Sequence, residues 1–455
     1  MERRAVAVPA RIGVGTVLGL AWPIMISMLS RTVMTTADTI FVGHLGTSAV
    51  AAIGLASTLS FVYIAFGWGL LGGINVAVSQ ATGAGRSVNE HWWQAMWMAL
   101  VLGVVGLMVT PLGPMVLPAL GASDEATALG SAWMSVRMGG AGLVFAQVGL
   151  IAWFQGRGDT RTPMVATLIT NVLNIALDPV LIFGWGPVPA LGIAGAAWAT
   201  NASLLVGLGW LLVRSRPGAL VGFRRGVVRE VVRLGSPMAM HFALDVLAFT
   251  AFVAILARVG EEALAAHVIV VRIVSVSFLP GHAVSEATSV LVGQAVGAGR
   301  RVAATEAWRA GTRLAVGLMA AMGAVFLFLP GPLLGVFEPS DDVAEAGRAL
   351  LLVAAGFQLF DAVAMVGFGA LKGAGDTRFT MVLGVSAAWL IKLPVGLLLA
   401  VGVGWGAGGA WLGMTVEIVL LAIAVSWRLM GTRWLPALLT SSESTEAERL
   451  ALAAK

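Results

Sequence analysis

The sequence predicts an all-α polytopic membrane protein, with twelve transmembrane helices in two pseudo-symmetric six-helix bundles. Three observations predict it. Apolar residues make up 58% of the 455 positions and charged residues only 11%, with a mean hydropathy of +0.91, far from soluble-domain averages. Apolar runs of about 20 residues, the length that crosses a bilayer as a helix, recur along the whole chain. The second half also repeats motifs of the first at a nearly constant offset. Membrane strands are excluded, because the runs are too long and lack apolar/polar alternation, and a spanning backbone must satisfy its own hydrogen bonds.

The first segment, 12–43, follows the basic stretch MERRAVAVPAR and has no small-residue cleavage site. At about 30 residues it is too long for a signal-peptide core and reads as a spanning helix. Segments 48–81, 92–117, 127–155, 162–183 and 193–213 complete a first lobe, 1–213. Within the second, Gly67-Trp-Gly69-Leu-Leu-Gly72 has the letters of a dinucleotide fingerprint but no strand before it, so its small residues read as helix-packing positions. Residues 214–232, RSRPGALVGFRRGVVREVV, form a basic cytoplasmic linker. Segments 233–257, 263–296, 304–329, 343–371, 379–401 and 408–427 make a second lobe, 233–430, before a cytoplasmic tail, 431–455.

Alternate connections differ in charge. One side carries Arg86, Arg157, Arg161, Arg214, Arg216, Arg224, Arg225, Arg229, Arg233, Arg300, Arg301, Lys372 and Arg378, and the other Asp124, Glu125, Glu261, Glu262, Glu338, Asp341 and Asp342, with Arg258 almost the only basic residue there. By the positive-inside rule the basic side and both termini are cytoplasmic. The sequence pI near 10.6 is therefore a consequence of topology, and nucleic acid is not a partner.

The repeat sets the organisation. Gln80-Ala-Thr-Gly-Ala-Gly-Arg86 returns as Gln294-Ala-Val-Gly-Ala-Gly-Arg300, Pro23 as Pro237, Gly156-Arg-Gly-Asp-Thr-Arg161 as Gly373-Ala-Gly-Asp-Thr-Arg378, and Gly195-Ala-Ala-Trp198 as Gly408-Gly-Ala-Trp411. Six helices per repeat is an even number, so the lobes are parallel repeats related by an axis along the membrane normal. The repeated motifs fall at cytoplasmic turns, where Gly closes one helix and Asp can cap the next.

Several activities are excluded. The absence of Cys removes disulfides and thiolate chemistry. No GxxxxGK[ST], HExxH or GxSxG occurs, and the five His are scattered, so an enzyme, an ATPase or a His metal site has no support. No cofactor is expected.

What remains is intramembrane charge. An ionised acid in hydrocarbon costs about 2.5–3.5 kcal/mol even on the lenient scale and marks function by default. Asp38 and Asp178 each lie five residues from the outer end of their segments, so they can share a site, with Asn174 one turn below Asp178 on the same face. Pro179 is expected to break the local helix and free carbonyls for a cation. Asp245 and Asp361 lie near the midplane of the second lobe. There Arg272 can neutralise Asp245, Glu286 lies at the depth of Asp361, and Lys392 and Glu417 match in depth as a neutralising pair. Two carboxylates together in low dielectric do not both ionise cheaply. Such a pair can carry a proton or, at Asp38 and Asp178, hold Na+. An organic cation competing for that charge gives the physical basis of antiport.

At these residues the chain resembles the multidrug and toxic compound extrusion (MATE) family, over essentially residues 12–430. The resemblance is carried by Asp38-Thr-Ile-Phe-Val-Gly-His-Leu-Gly46, Leu264-Ala-Ala-His267, Val292-Gly-Gln-Ala-Val-Gly-Ala-Gly-Arg300 and both Gly-Asp-Thr turns. It implies two six-helix bundles in a V-shaped arrangement and export of cationic, often aromatic compounds driven by H+ or Na+. It also implies that Asp38, Asn174, Asp178 and Thr200 form the polar cluster of the DinF-like branch. Asp245 and Asp361 stand where the NorM-like branch keeps its acids. The expectation is a monomeric inner-membrane antiporter for organic cations. Asp38, Asn174, Asp178 and Thr200 couple to the ion, and Asp245, Asp361, Arg272 and Glu286 form a second cation or substrate site. A flippase for lipid-linked saccharide precursors is the alternative.

Overall fold

A computed structural model describes residues 11–435. The basic N-terminus as far as residue 10 and the tail from residue 436 lie outside the described residues. Among those described, eleven helices are long and apolar enough to cross a membrane, and a twelfth span is bent by 45° between Asp124–Gly139 and Ala141–Gly156. The helices follow the apolar runs. Val14–Gly43, Thr47–Gly83, Arg161–Phe183 and Ile193–Ser215 each end within a few residues of the segment seen in sequence.

Two differences have physical causes. Pro179 does not break its helix, which runs on to Phe183. Proline is tolerated in a spanning helix, although its missing N–H still leaves the carbonyl one turn back, on Ile175, without its helical donor. The other difference is at the linker. The next helix is Arg225–Val259, so residues 225–232 are helical, and the stretch before them is tied down. Gln94 accepts from the Arg224 amide at 2.9 Å and donates to the Gly222 carbonyl at 3.0 Å. Trp97 donates to the Val221 carbonyl at 3.1 Å.

The chain divides into two compact units whose boundaries fall inside helices. One comprises Pro23–Val78 and Ser87–Ala239, and the other, among described residues, comprises 11–22, Ser79–Arg86 and 240–435. The first is packed around Leu71, Ile74, Phe145, Leu150 and Trp153, with a second cluster around Leu117, Trp133 and Met138. Gly69 of the fingerprint-like stretch is a packing position, since a Cβ there would lie 2.6 Å from the Ala239 amide nitrogen. The second unit is packed around Phe252, Phe326, Leu350, Phe357 and Trp411. Large apolar side chains such as Met108, Val172, Leu205 and Leu390 stay exposed, as lipid-facing positions require.

In the second unit the repeated Gly-Ala-Gly motifs meet each other. A Cβ on Gly83 would collide with the Gln294 carbonyl, and one on Gly297 with the Gln80 carbonyl. The second glycine of each motif has a different task, because Gly85 (φ 67°) and Gly299 (φ 73°) turn the chain through the left-handed region. The two Gly-Asp-Thr turns diverge. Asp159 caps its helix by accepting from the Thr162 amide at 3.0 Å, whereas Asp376 takes the Arg428 guanidinium at 2.9 and 3.0 Å.

Candidate functional site

In the first unit, Val14–Gly43 carries Asp38 and Arg161–Phe183 carries Asn171, Asn174 and Asp178. The loop after Phe183 is short and folds back tightly, with the Leu191 amide donating to the Leu181 carbonyl at 3.0 Å and that of Gly192 to Ile182 at 3.1 Å. That hairpin brings Ile193–Ser215 alongside Arg161–Phe183. Asn174 consequently donates to Thr200 Oγ1 at 3.4 Å, and Thr200 donates onward to the Ala196 carbonyl at 2.9 Å. Asn171 reaches across to Ser30 of the first helix at 2.8 Å.

The Asp38 and Asp178 carboxyls face each other within hydrogen-bonding reach. Asp178 and Asn174 are fully buried. Both Asp178 oxygens, Asp38 Oδ1 and Asn174 Oδ1 are enclosed without a donor. Two ionised carboxylates are acceptors only, so such a pair has the chemistry to share a proton or to accept a cation. Among the described residues no group of three or more His, Cys, Asp or Glu converges as a metal site. A Na+ here would draw its further oxygens from Asn174 and Thr200, which fits the oxygen preference of a hard cation.

Arg137, in the fourth span, adds a charge that no acid-centred reading of the sequence includes. It lies close enough to Asp38 for their charges to interact. It also donates to Asn201 Oδ1 at 3.4 Å, and Asn201 itself is fixed by a 2.6 Å bond to the Val136 carbonyl. Arg31 stacks over the Trp68 ring at 5.1 Å. Arg137 carried the same signal as the acids, an ionisable residue inside an apolar run.

In the second unit the expected residues separate. Asp245 pairs not with Arg272, which is exposed, but with Lys392 at 3.7 Å. Lys392 also meets Glu417 at 3.4 Å, and Asp361 lies within electrostatic range of Glu417. Glu286 does not join them, because Lys372 takes it in a close ion pair. The sequence gives the depth of each residue along its helix but not the face on which it lies. That is why depth alone points to Arg272 for Asp245 and to Lys392 for Glu417, and only the second of these pairs forms.

A model of the MatE family matches residues 23–180 and again 237–398, the two matches opening on Pro23 and Pro237, the same prolines that mark the internal repeat. The chain is 30% identical over 427 residues to "Probable multidrug resistance protein NorM" of Thermotoga maritima, covering 91% of this chain and 92% of that protein. It is 31% identical over 425 residues to "Multidrug resistance protein NorM" of Burkholderia vietnamiensis, covering 90% and 92%. Among solved structures it superposes on an outward-facing conformation of a multidrug resistance MATE family transporter of the MOP superfamily, with a TM-score of 0.85 at 21% identity over 100% of this chain and 99% of the other. A MOP superfamily transporter from Pyrococcus furiosus, whose binding pocket is described as of reverse polarity, gives a TM-score of 0.83 at 21% identity over 98% and 97%.

Proposed function

The chain belongs to the MatE family, and from that premise we propose that it is a multidrug efflux antiporter, expelling organic cations from the cytoplasm in exchange for H+ or Na+. Family membership makes it a membrane transporter. The exchange mechanism rests on the facing pair of Asp38 and Asp178, whose enclosed oxygens lack a donor.

The mechanism follows from charge. A proton or Na+ entering from outside settles between the two acids, with Asn174 and Thr200 orienting the site. With the pair neutralised, the arrangement of helices that holds the ion is favoured. An organic cation is released from that arrangement and bound from the cytoplasm in the other. A ligand shifts such an equilibrium only by its differential affinity for the two states, so the coupling needs ion and substrate to prefer different states. The pattern of Arg-rich connections supports cytoplasmic termini and an inner-membrane location, and the internal duplication supports a monomer as the working unit. Asp245 and Asp361 supply a second cation or substrate site.

A flippase for lipid-linked saccharide precursors would need cationic groups free to meet a pyrophosphate. Arg137 is instead engaged by Asn201 and Lys392 by two carboxylates, so that reading would have to rest on the exposed Arg272. In proteoliposomes, efflux of a fluorescent organic cation should be driven by an inwardly directed pH gradient or an inwardly directed Na+ gradient, imposed separately. Efflux that ignores both gradients would rule out ion-coupled antiport.

A further inference from the structure

We infer that Lys392 is a tethered cation that competes with a positively charged ligand for Asp245, and so sets the affinity and charge selectivity of the second unit. The inference rests on the organic-cation reading of this protein and adds to it a residue that regulates cation binding from within.

Lys392 differs from two other ion-paired cations among the described residues. Arg428 closes fully on Asp376 at 2.9 Å, and Lys372 closes fully on Glu286. Lys392 sits 3.7 Å from Asp245 and 3.4 Å from Glu417, within ion-pair range of both but outside the 2.7–2.9 Å of a charge-assisted hydrogen bond. Its two partners are unlike. The Glu417 side chain is 8% exposed, as is that of Lys392, while Asp245 is 58% exposed and open to an incoming ligand. In their ordinary charge states the three groups hold one more carboxylate than ammonium. They therefore leave room for one further positive charge, and Asp245 is the member that can take it.

The local helix explains why the lysine is placed between them. Residues Ala388–Lys392 form a π-helical turn, the Leu393 amide reaching back to the Ala388 carbonyl. Pro394 brings no amide to the carbonyl of Leu390. Widened turns of this kind are frequent at functional sites. Trp389, on the same turn, donates to the Leu244 carbonyl at 3.3 Å, beside Asp245, and offers a 39% exposed ring on which an organic cation can stack. His241, one helical turn before Asp245, interacts with both Asp245 and Lys392. When a cation binds Asp245, the flexible ammonium withdraws onto Glu417. When the cation leaves, the ammonium returns.

The test is equilibrium binding of ethidium, a monocation, to the purified full-length protein, followed by fluorescence polarisation. Lys392→Met should tighten binding about tenfold, the scale of losing one partly screened like charge. Glu417→Gln, which leaves Lys392 with Asp245 as its carboxylate, should weaken it by a similar factor. Opposite shifts are not produced by general damage to the fold. Ethidium bound equally by wild type and both variants, or more weakly by Lys392→Met, overturns the tethered-cation role alone. Ethidium bound by neither wild type nor Lys392→Met overturns the organic-cation reading and this inference with it.

Discussion

Asn201 is buried and makes two hydrogen bonds, accepting from Arg137 and donating to the Val136 carbonyl, so the placement of a positive charge beside Asp38 depends on it. Asn201→Ala would leave the guanidinium and the carbonyl short of partners, at a cost of about 1–3 kcal/mol. It should lower the thermal unfolding midpoint of the purified protein, and an unchanged midpoint would show that Arg137 is held by other means. At this scale the acids were legible and the partners were not. Asp38 and Asp178 stand out in the sequence because an ionisable residue inside an apolar run is visible without a structure, and equal distance from two helix ends was enough to bring them together. The pairing of Asp245 with Lys392 rather than Arg272 depends on how each helix is rotated against its neighbours. That rotation is a result of packing, and no local pattern in the sequence encodes it.

Helix ends were legible to within a few residues, because the apolar runs that a bilayer demands are bounded by charge and glycine. Helix irregularities were less so. Pro179 lies inside its helix rather than at its end, and the π-helical turns Ala388–Lys392 and Leu398–Gly402 have no distinctive spelling beyond Pro394. The Gly-Ala-Gly motifs read as turns, and their first glycines are contact positions as well. Gly297→Ala should be the more damaging change of the pair at 297 and 299. It forces a Cβ onto the backbone carbonyl of Gln80, which cannot move without its helix, whereas alanine at the exposed Gly299 adds the left-handed strain of about 1–2 kcal/mol. Monodisperse yield in detergent should fall in that order. An equal yield for the two variants would mean that the Gln80 contact is looser than its geometry implies.

The duplication is visible in the whole molecule in two independent ways, as repeated motifs and as a family model that matches twice. Its intramembrane acids are not duplicated. Asp38 stands where the second copy has Phe252, a fully buried core residue, so the carboxyl pair belongs to one unit alone. The absence of Cys makes the orientation directly testable. A single cysteine replacing exposed Arg224 should react with an impermeant maleimide only from the cytoplasmic face, and one replacing exposed Glu338 only from outside; the reverse pattern would invert the topology and the direction of exchange. Asp38→Asn in inverted membrane vesicles tests the central claim most directly. There, addition of an organic cation should elicit counter-movement of H+ or Na+ with the wild type and none with the variant, at equal amounts of folded protein. Wild-type ion movement in Asp38→Asn would contradict the account.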